Sequence, residues 1–321
     1  MISPKFSFAA TLSVSLLAGL VATPSFAAAP LVKTSAPGFF RMMVGDIEVT
    51  ALSDGTIDLP ADKLLTHTTP AKVKAAMDAA FLPIPVETSV NAYLVNTGSK
   101  LVLIDAGTAG LFGPTLGKLL NNLKAAGYQP EQVDEIYITH MHADHVGGLM
   151  AGEQRAFPNA VVRADKHDAE HWLSAEKLEK AKGDDKHGFQ QAQVSLNAYV
   201  KADKFKAFDG SVELVPGVKS YATRGHTPGH SNYVVESKGQ KLMLIGDMIH
   251  VGAVQFADPS VTIIFDSDSK QAAAARKALF ADAAKGGYWI GAAHLSFPGI
   301  GHLRKQGKGF EWVPVNHIEL R

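Results

Sequence analysis

Residues 139–148 read THMHADHVGG, so His140, His142, Asp144 and His145 fall within six positions and take three of the chain's thirteen histidines. Neutral imidazole is the commonest protein ligand for divalent metals, and a nearby carboxylate supplies the negative charge such an ion asks for. The stretch follows VDEIYI, an apolar run that reads as a buried strand. Residues two apart on a strand face the same way, so His140 and His142 share one target if the extended form persists through them. Asp144 and His145 come after the strand end and aim at a second point. A polar turn holding histidines by chance would leave that density unexplained.

Three further apolar runs end on a residue of the same kind. KLVLID ends at Asp105, KLMLIGD at Asp247 and GYWIGAAH at His294, while TRGHTPGH, after VKSYA, carries His226. Loops beyond the strand ends of packed sheets are where enzymes commonly assemble their sites. Between the strands the spacing predicts helices over 69–81, with Pro70 at the first position, over 113–128, and over 266–287, which opens on capping residues and closes on glycines. The region 165–200 reads as mostly helical, with KGDDKHG as an exposed loop. Strands in hairpin order alternating with helices imply a layered α/β domain.

The first 27 residues are expected to be a leader. Lys5 is followed by the apolar run FAATLSVSLLAGLVA and by PSFAAAP, a small-residue cleavage site after Ala27 or Ala29. A membrane anchor would need roughly 20 apolar residues, and this run is shorter. Residues 28–321 then form a single domain of an exported, periplasmic or secreted protein. Basic and acidic residues number 31 each, and loss of Lys5 with the leader leaves 30 against 31. That balance provides no electrostatic footprint for nucleic acid or an anionic membrane. The chain has no cysteine, so disulfides are excluded and any transition-metal site must use His, Asp and Glu.

Seven candidate ligands result: His140, His142, Asp144, His145, His226, Asp247 and His294. One tetrahedral zinc needs three or four, whereas seven with one shared carboxylate suit two ions about 3.5–4 Å apart. Nitrogen and oxygen donors alone fit Zn²⁺, which is the expected metal, and also Mn²⁺, Co²⁺ or Fe²⁺.

His-x-His-x-Asp-His, then GHTPGH, a strand-end aspartate and a distal histidine together resemble the metallo-β-lactamase superfamily over nearly the whole mature chain. The resemblance implies an αββα four-layer sandwich with the metal site at one edge. It places His140, His142 and His226 on one ion, Asp144, His145 and His294 on the other, and Asp247 between them. It also implies that Asp105, in LIDAG, orients a ligand histidine. His230 reads as a residue that orients its loop. HDAEH (167–171) matches the His-x-x-Glu-His of inverted zinc proteases, but a five-residue match is cheap and an exposed amphipathic helix accounts for it equally well.

More narrowly, TSAPGFFRMMVGDIEVTALSDGT, ETSVNAYLVNTGSKLVLIDAGTAGLFGPTLG and HLSFPGIGH are similar to methyl parathion hydrolases and their lactone-hydrolysing, dihydrocoumarin hydrolase-like relatives. That similarity implies an aromatic pocket for an aryl leaving group, matched here by Phe112, Trp172 and Phe189, each of which could equally be core. Leu65 stands where the organophosphate hydrolases carry arginine, and His250, Ile263 and Phe265 where they carry leucine, threonine and leucine. A bulkier, more aromatic pocket suits a flat aryl lactone or ester, with weak phosphotriesterase activity on the side. Two ions would supply a bridging hydroxide, Asp247 would hold it, and His250 would touch substrate or protonate the leaving phenolate, unless it only walls the pocket. The family also implies a homodimer. Other readings are a phosphotriesterase as main activity, a thioesterase of the same fold (whose basic anchor for a charged thiol conjugate is not evident), and a non-catalytic metal-binding protein, which should have lost ligands.

Overall fold

The computed structural model describes Met1 and residues 29–320, so the leader expected over 1–27 lies, Met1 apart, outside the described residues. Ala36 begins the compact unit that holds every element below. Its chain lays down two seven-stranded sheets one after the other, each with its strands side by side in chain order.

The first sheet comprises β1 (Phe39–Val44), β2 (Ile47–Leu59), β3 (Val86–Asn96), β4 (Leu101–Ile104), β5 (Glu135–Tyr137), β6 (Val161–Asp165) and β7 (Phe205–Phe208). Its pairs are antiparallel from β1 to β4 and parallel from β4 to β7. The second comprises β8 (Glu213–Val215), β9 (Val218–Ala222), β10 (Ser231–Ser237), β11 (Gln240–Leu244), β12 (Trp289–Gly291), β13 (Ile300–Gln306) and β14 (Gly309–Pro314). Only β11 and β12 run parallel there, joined through the long helix α7 (Ser269–Gly286).

Period-two alternation sorts each strand between two cores. On β4, Val102 and Ile104 point into the layer between the sheets, while Leu101 and Leu103 pack outward. On β11, Leu242 and Leu244 enter the same central layer and Met243 faces α7 with Leu279, Phe280 and Ala283. The outward face of the first sheet is covered by α2 (Leu119–Ala125), α4 (Lys166–Trp172), the short α5 (Ala175–Lys180) and α6 (Gly183–Lys201), through Leu119, Leu123, Trp172, Leu178, Phe189 and Leu196. Burial on both faces is why these strands read as unbroken apolar runs. The outcome is the helix–sheet–sheet–helix sandwich the sequence implies. Among the described residues no helix is long and apolar enough to cross a membrane.

Two further helices follow expectation. α1 (Pro70–Ala79) is capped by Thr69, and α7 starts after the cap Asp268 and stops at Gly287, in left-handed conformation. Three expectations need correction. The strand read through to His140 stops at Tyr137, so the two-residue alternation does not bring His140 and His142 together. The helix expected over 113–128 is only Leu119–Ala125, because the buried Asp54 carboxylate accepts from the backbone N–H of Thr108, Gly117 and Leu119 and holds the preceding segment in turns. KGDDKHG is not a loop but the first turns of α6, where Asp184 and Asp185 answer the positive end of the helix dipole.

Candidate metal centre

The carboxyl ends of β4, β5, β11 and β12 carry Asp105, the 138–145 segment, Asp247 and His294. The β9–β10 loop adds His226. His140 and His142 stand in irregular backbone, and Asp144 and His145 lie in the single turn of α3 (Ala143–Val146). The closing glycines of THMHADHVGG have a steric reason: a Cβ on Gly148 would lie 1.8 Å from the carbonyl oxygen of Ala106, so only glycine lets this turn rest on the loop after β4.

Seven side chains converge as two sets that share Asp247: His140, His142, His226, Asp247 and Asp144, His145, His294, Asp247. In the first, His142 Nδ1 lies 3.0 Å from His140 Nε2 and 3.2 Å from His226 Nε2. Asp247 Oδ2 completes it, 3.6 Å from His140 Nε2 and 3.4 Å from His226 Nε2. In the second, Asp247 Oδ1 lies 3.1 Å from both His145 Nε2 and His294 Nε2, with Asp144 Oδ2 at 3.5 and 3.3 Å from the same nitrogens. Zinc–nitrogen bonds of about 2.0–2.1 Å make a tetrahedral edge of about 3.3 Å, close to all these separations. Asp247 thus belongs to both sets, with Oδ1 against His145 and His294 and Oδ2 against His140 and His226 and also 3.2 Å from His294 Nε2.

A second observation tests the fit. His145 Nε2 and Asp247 Oδ1 are enclosed and 3.1 Å apart, yet among the described residues neither makes a hydrogen bond. Enclosed polar atoms are costly unless something satisfies them, and a divalent cation between them does. The residues fit two ions.

The far nitrogens are held as metal ligands usually are. His145 Nδ1 lies 2.8 Å from Asp105 Oδ2, His226 Nδ1 2.8 Å from Asp266 Oδ1, and His294 Nδ1 3.0 Å from the Ser89 carbonyl. Asp105, at a left-handed φ of 61°, also accepts from the N–H and hydroxyl of Thr139. Burial pushes His142 down to about 3. Burial also opposes charge on His294, but Asp247 and Asp144 lift it to about 10, and these two with Asp105 lift His145. The second set therefore sits in a field that favours positive charge.

His230 belongs to neither set. The Asp247 N–H donates to its Nε2 at 3.1 Å, so its proton sits on Nδ1, 2.9 Å from Thr223 Oγ1. Burial holds it at about 3 against an ordinary 6.5. The unfolded chain therefore takes up this proton first, and the stability contributed above pH 6.5 is lost as pH falls toward 3. At pH 5 the loss is about 2 kcal/mol. Urea unfolding at pH 7 and pH 5 should show that His230→Gln loses about 2 kcal/mol less between them than the unaltered chain. Equal losses would exonerate His230.

The pocket candidates divide. Trp172 meets His142 edge-on at 5.3 Å and is backed by Phe189 at 4.9 Å. His250 stacks on His294 at 5.1 Å, places Nε2 3.1 Å from Asp247 Oδ2, and lies 6.2 Å from Phe265, which is 41% exposed. Leu65 and Ile263 pair across a two-stranded ribbon and are buried with Val73, Met77 and Val251. Phe112 is exposed in the turns before α2. His167 and His171 do not combine: His167 bonds Asp165, while His171 packs on Trp172 and Phe189.

Sequence reasoning did not single out Asp168, Asp266, Arg276 or the Ser89 carbonyl. Asp168 was only a letter inside HDAEH and Asp266 only the start of a helix pattern, and neither carries a local signal.

The family model described as Metallo-beta-lactamase superfamily matches residues 85–285. An N-acyl homoserine lactonase of Bacillus sp is 31% identical over 165 residues, 46% of this chain and 58% of that protein. The N-acyl homoserine lactonase AiiA of Bacillus thuringiensis subsp. kurstaki is 27% identical over 172 residues, 48% of this chain and 60% of its own. The match thus spans less than two thirds of these curated relatives. Among solved structures, hydrolase AbOPH of the beta lactamase superfamily superposes with a TM-score of 0.84 at 37% identity, over 89% of this chain and 100% of that one. AidC, a dizinc quorum-quenching lactonase in complex with a product, has a TM-score of 0.81 at 27% identity, over 88% and 99%.

Proposed function

Because the chain belongs to the metallo-beta-lactamase superfamily, we propose that it is a binuclear metal-dependent hydrolase that opens aryl lactones and esters of the dihydrocoumarin type. Weak hydrolysis of aryl phosphotriesters accompanies that activity. The observation that carries the proposal is Asp247, a member of both ligand sets, with His250 directly against it and Phe265 beside His250. The dizinc site of AidC supports zinc as the resident metal, and the lactonases among the similar proteins support a lactone as substrate. Export after loss of the leader and a dimeric assembly belong to the same proposal, on the leader pattern and the family likeness.

When bound, the two ions supply Lewis acidity, polarising a carbonyl and making water nucleophilic near neutral pH. The remaining work falls to side chains. His140, His142 and His226 would hold one ion and Asp144, His145 and His294 the other, with Asp247 belonging to both sets. Asp247 is kept anionic: burial opposes the charge, but His145, His294 and His140 prevail. Burial, offset in part by Asp247, keeps His250 below its ordinary value, so the ring is neutral near pH 7. Its Nε2–H is in reach of Asp247 Oδ2, and the neutral ring takes up the proton that the attacking water releases and, as imidazolium, returns it to the departing phenolate. Trp172 beside His142 and Phe265 beside His250 offer flat apolar surfaces to a planar ring. A tetrahedral dialkyl phosphate lacks that complementarity.

Comparing kcat/KM for dihydrocoumarin, an N-acyl homoserine lactone, an aryl acetate, an aryl dialkyl phosphate and a thioester tests this reading. Dihydrocoumarin should lead. A misplaced group in an apolar pocket is worth about 1–3 kcal/mol, so the phosphotriester should be slower and still detectable. The double change His250→Leu and Phe265→Leu should move the ratio towards the phosphotriester with metal content unaltered. A phosphotriester preference in the unaltered chain, or a ratio that does not move, makes phosphotriester hydrolysis the main activity. Fastest turnover of the N-acyl homoserine lactone would keep the lactonase and remove the aryl specificity.

A further inference from the structure

We propose that Asp168 is the positioning residue of the first ligand set, holding in register the two loops that carry His140, His142 and His226. The proposal rests on the two-ion reading of the centre and is independent of the substrate.

Asp168 lies in α4, fully buried, and belongs to neither ligand set. Its Oδ2 accepts from the Met141 N–H at 3.0 Å and from the Thr227 hydroxyl at 3.0 Å, and its Oδ1 accepts from the Gly229 N–H at 2.6 Å. Met141 sits between His140 and His142. Thr227 follows His226, and Gly229 closes the same loop. These loops come from different halves of the chain, one leaving β5 of the first sheet and the other joining β9 to β10 of the second. One carboxylate therefore bonds to both loops, beside the Ser231 N–H to Thr139 carbonyl bond, across the gap where His142 Nδ1 meets His226 Nε2 at 3.2 Å. Gly229 must lack a side chain for this to happen, since a Cβ there would lie 2.5 Å from the Asp168 nitrogen.

The second set has separate braces, Asp105 behind His145 and the Ser89 carbonyl behind His294. Loss of Asp168 should thus weaken one ion and spare the other. Asparagine at 168 keeps the size but has one acceptor oxygen. Its NH₂ must then face a donor, either Gly229 N–H or the Met141 and Thr227 pair.

The experiment is a Co²⁺ titration of the full chain after chelator treatment. Visible absorption and elemental analysis follow loading, and paramagnetically shifted imidazole N–H signals assign each binding step to its ligand set. Outer-shell changes typically cost 10–100-fold in metal affinity, so Asp168→Asn should weaken the first-set step by about that factor and leave the second within about threefold. Thr227→Val removes one of the three bonds and should shift the same step in the same direction by less, which keeps the test open if Asp168→Asn folds poorly. Equal weakening of both steps together with a fall in Tm, or no change in either, overturns the proposal. A single cobalt step in the unaltered chain overturns the two-ion reading itself, and the proposal with it.

Discussion

Asp247→Ala is expected to reduce turnover by more than about 10³-fold, since even outer-shell partners of metal ligands cost 10–100-fold and Asp247 serves both ions at once. That loss corresponds to about 4 kcal/mol of transition-state stabilisation. Its oxygens reach both sets, Oδ1 lying against His145 and His294 and Oδ2 against His140, His226 and also His294. No other residue of either set is shared. The alanine variant keeps the backbone N–H that donates to His230, so the loop should stay in place. Elemental analysis should then find about two divalent ions per chain in the active protein and fewer in the variant. Full activity with one tightly bound ion per chain would sink the binuclear scheme.

Removal of Arg276 should produce the largest loss of stability. This arginine of α7 is 1% exposed, and its guanidinium donates to the carbonyls of Met248, Pro259 and Val261. Its Nη2 also lies 4.0 Å from Asp266, which holds His226. Arg276→Met would fill the volume and leave three carbonyls and Asp266 without their cation. Breaking a buried charged interaction from one side costs about 3–5 kcal/mol. Because the freed segment carries His250, activity should fall along with the urea midpoint. A loss under about 1 kcal/mol would mean that water replaces the guanidinium and that the arginine is no strut.

Residue type and local periodicity carried the sandwich and the donors. KLVLID and KLMLIGD are apolar on both faces because a sheet covered on both sides needs that, and four layers follow. The seven donors are visible because histidine is scarce, and three imidazoles with a carboxylate directly after an apolar run point to cation binding from the sequence itself. Tertiary structure decided how those donors are divided. Asp247 reaches both sets only because β11 delivers that residue between the 138–145 segment and His294, an arrangement set by packing across the two sheets. Long-range carboxylates decided other features against local pattern. Asp54 captures Gly117 and Leu119 across the fold and shortens a helix that leucine spacing had extended. Asp168, inside HDAEH, is the same letter as any exposed helix aspartate, and only its position under two loops from different halves makes it a clamp. A hydrogen bond between residues distant in sequence leaves no period for a sequence to display. Periodicity therefore determined the layers and residue type the donors, whereas the pairing of each ligand with its ion and its brace came from the packing of one sheet against the other.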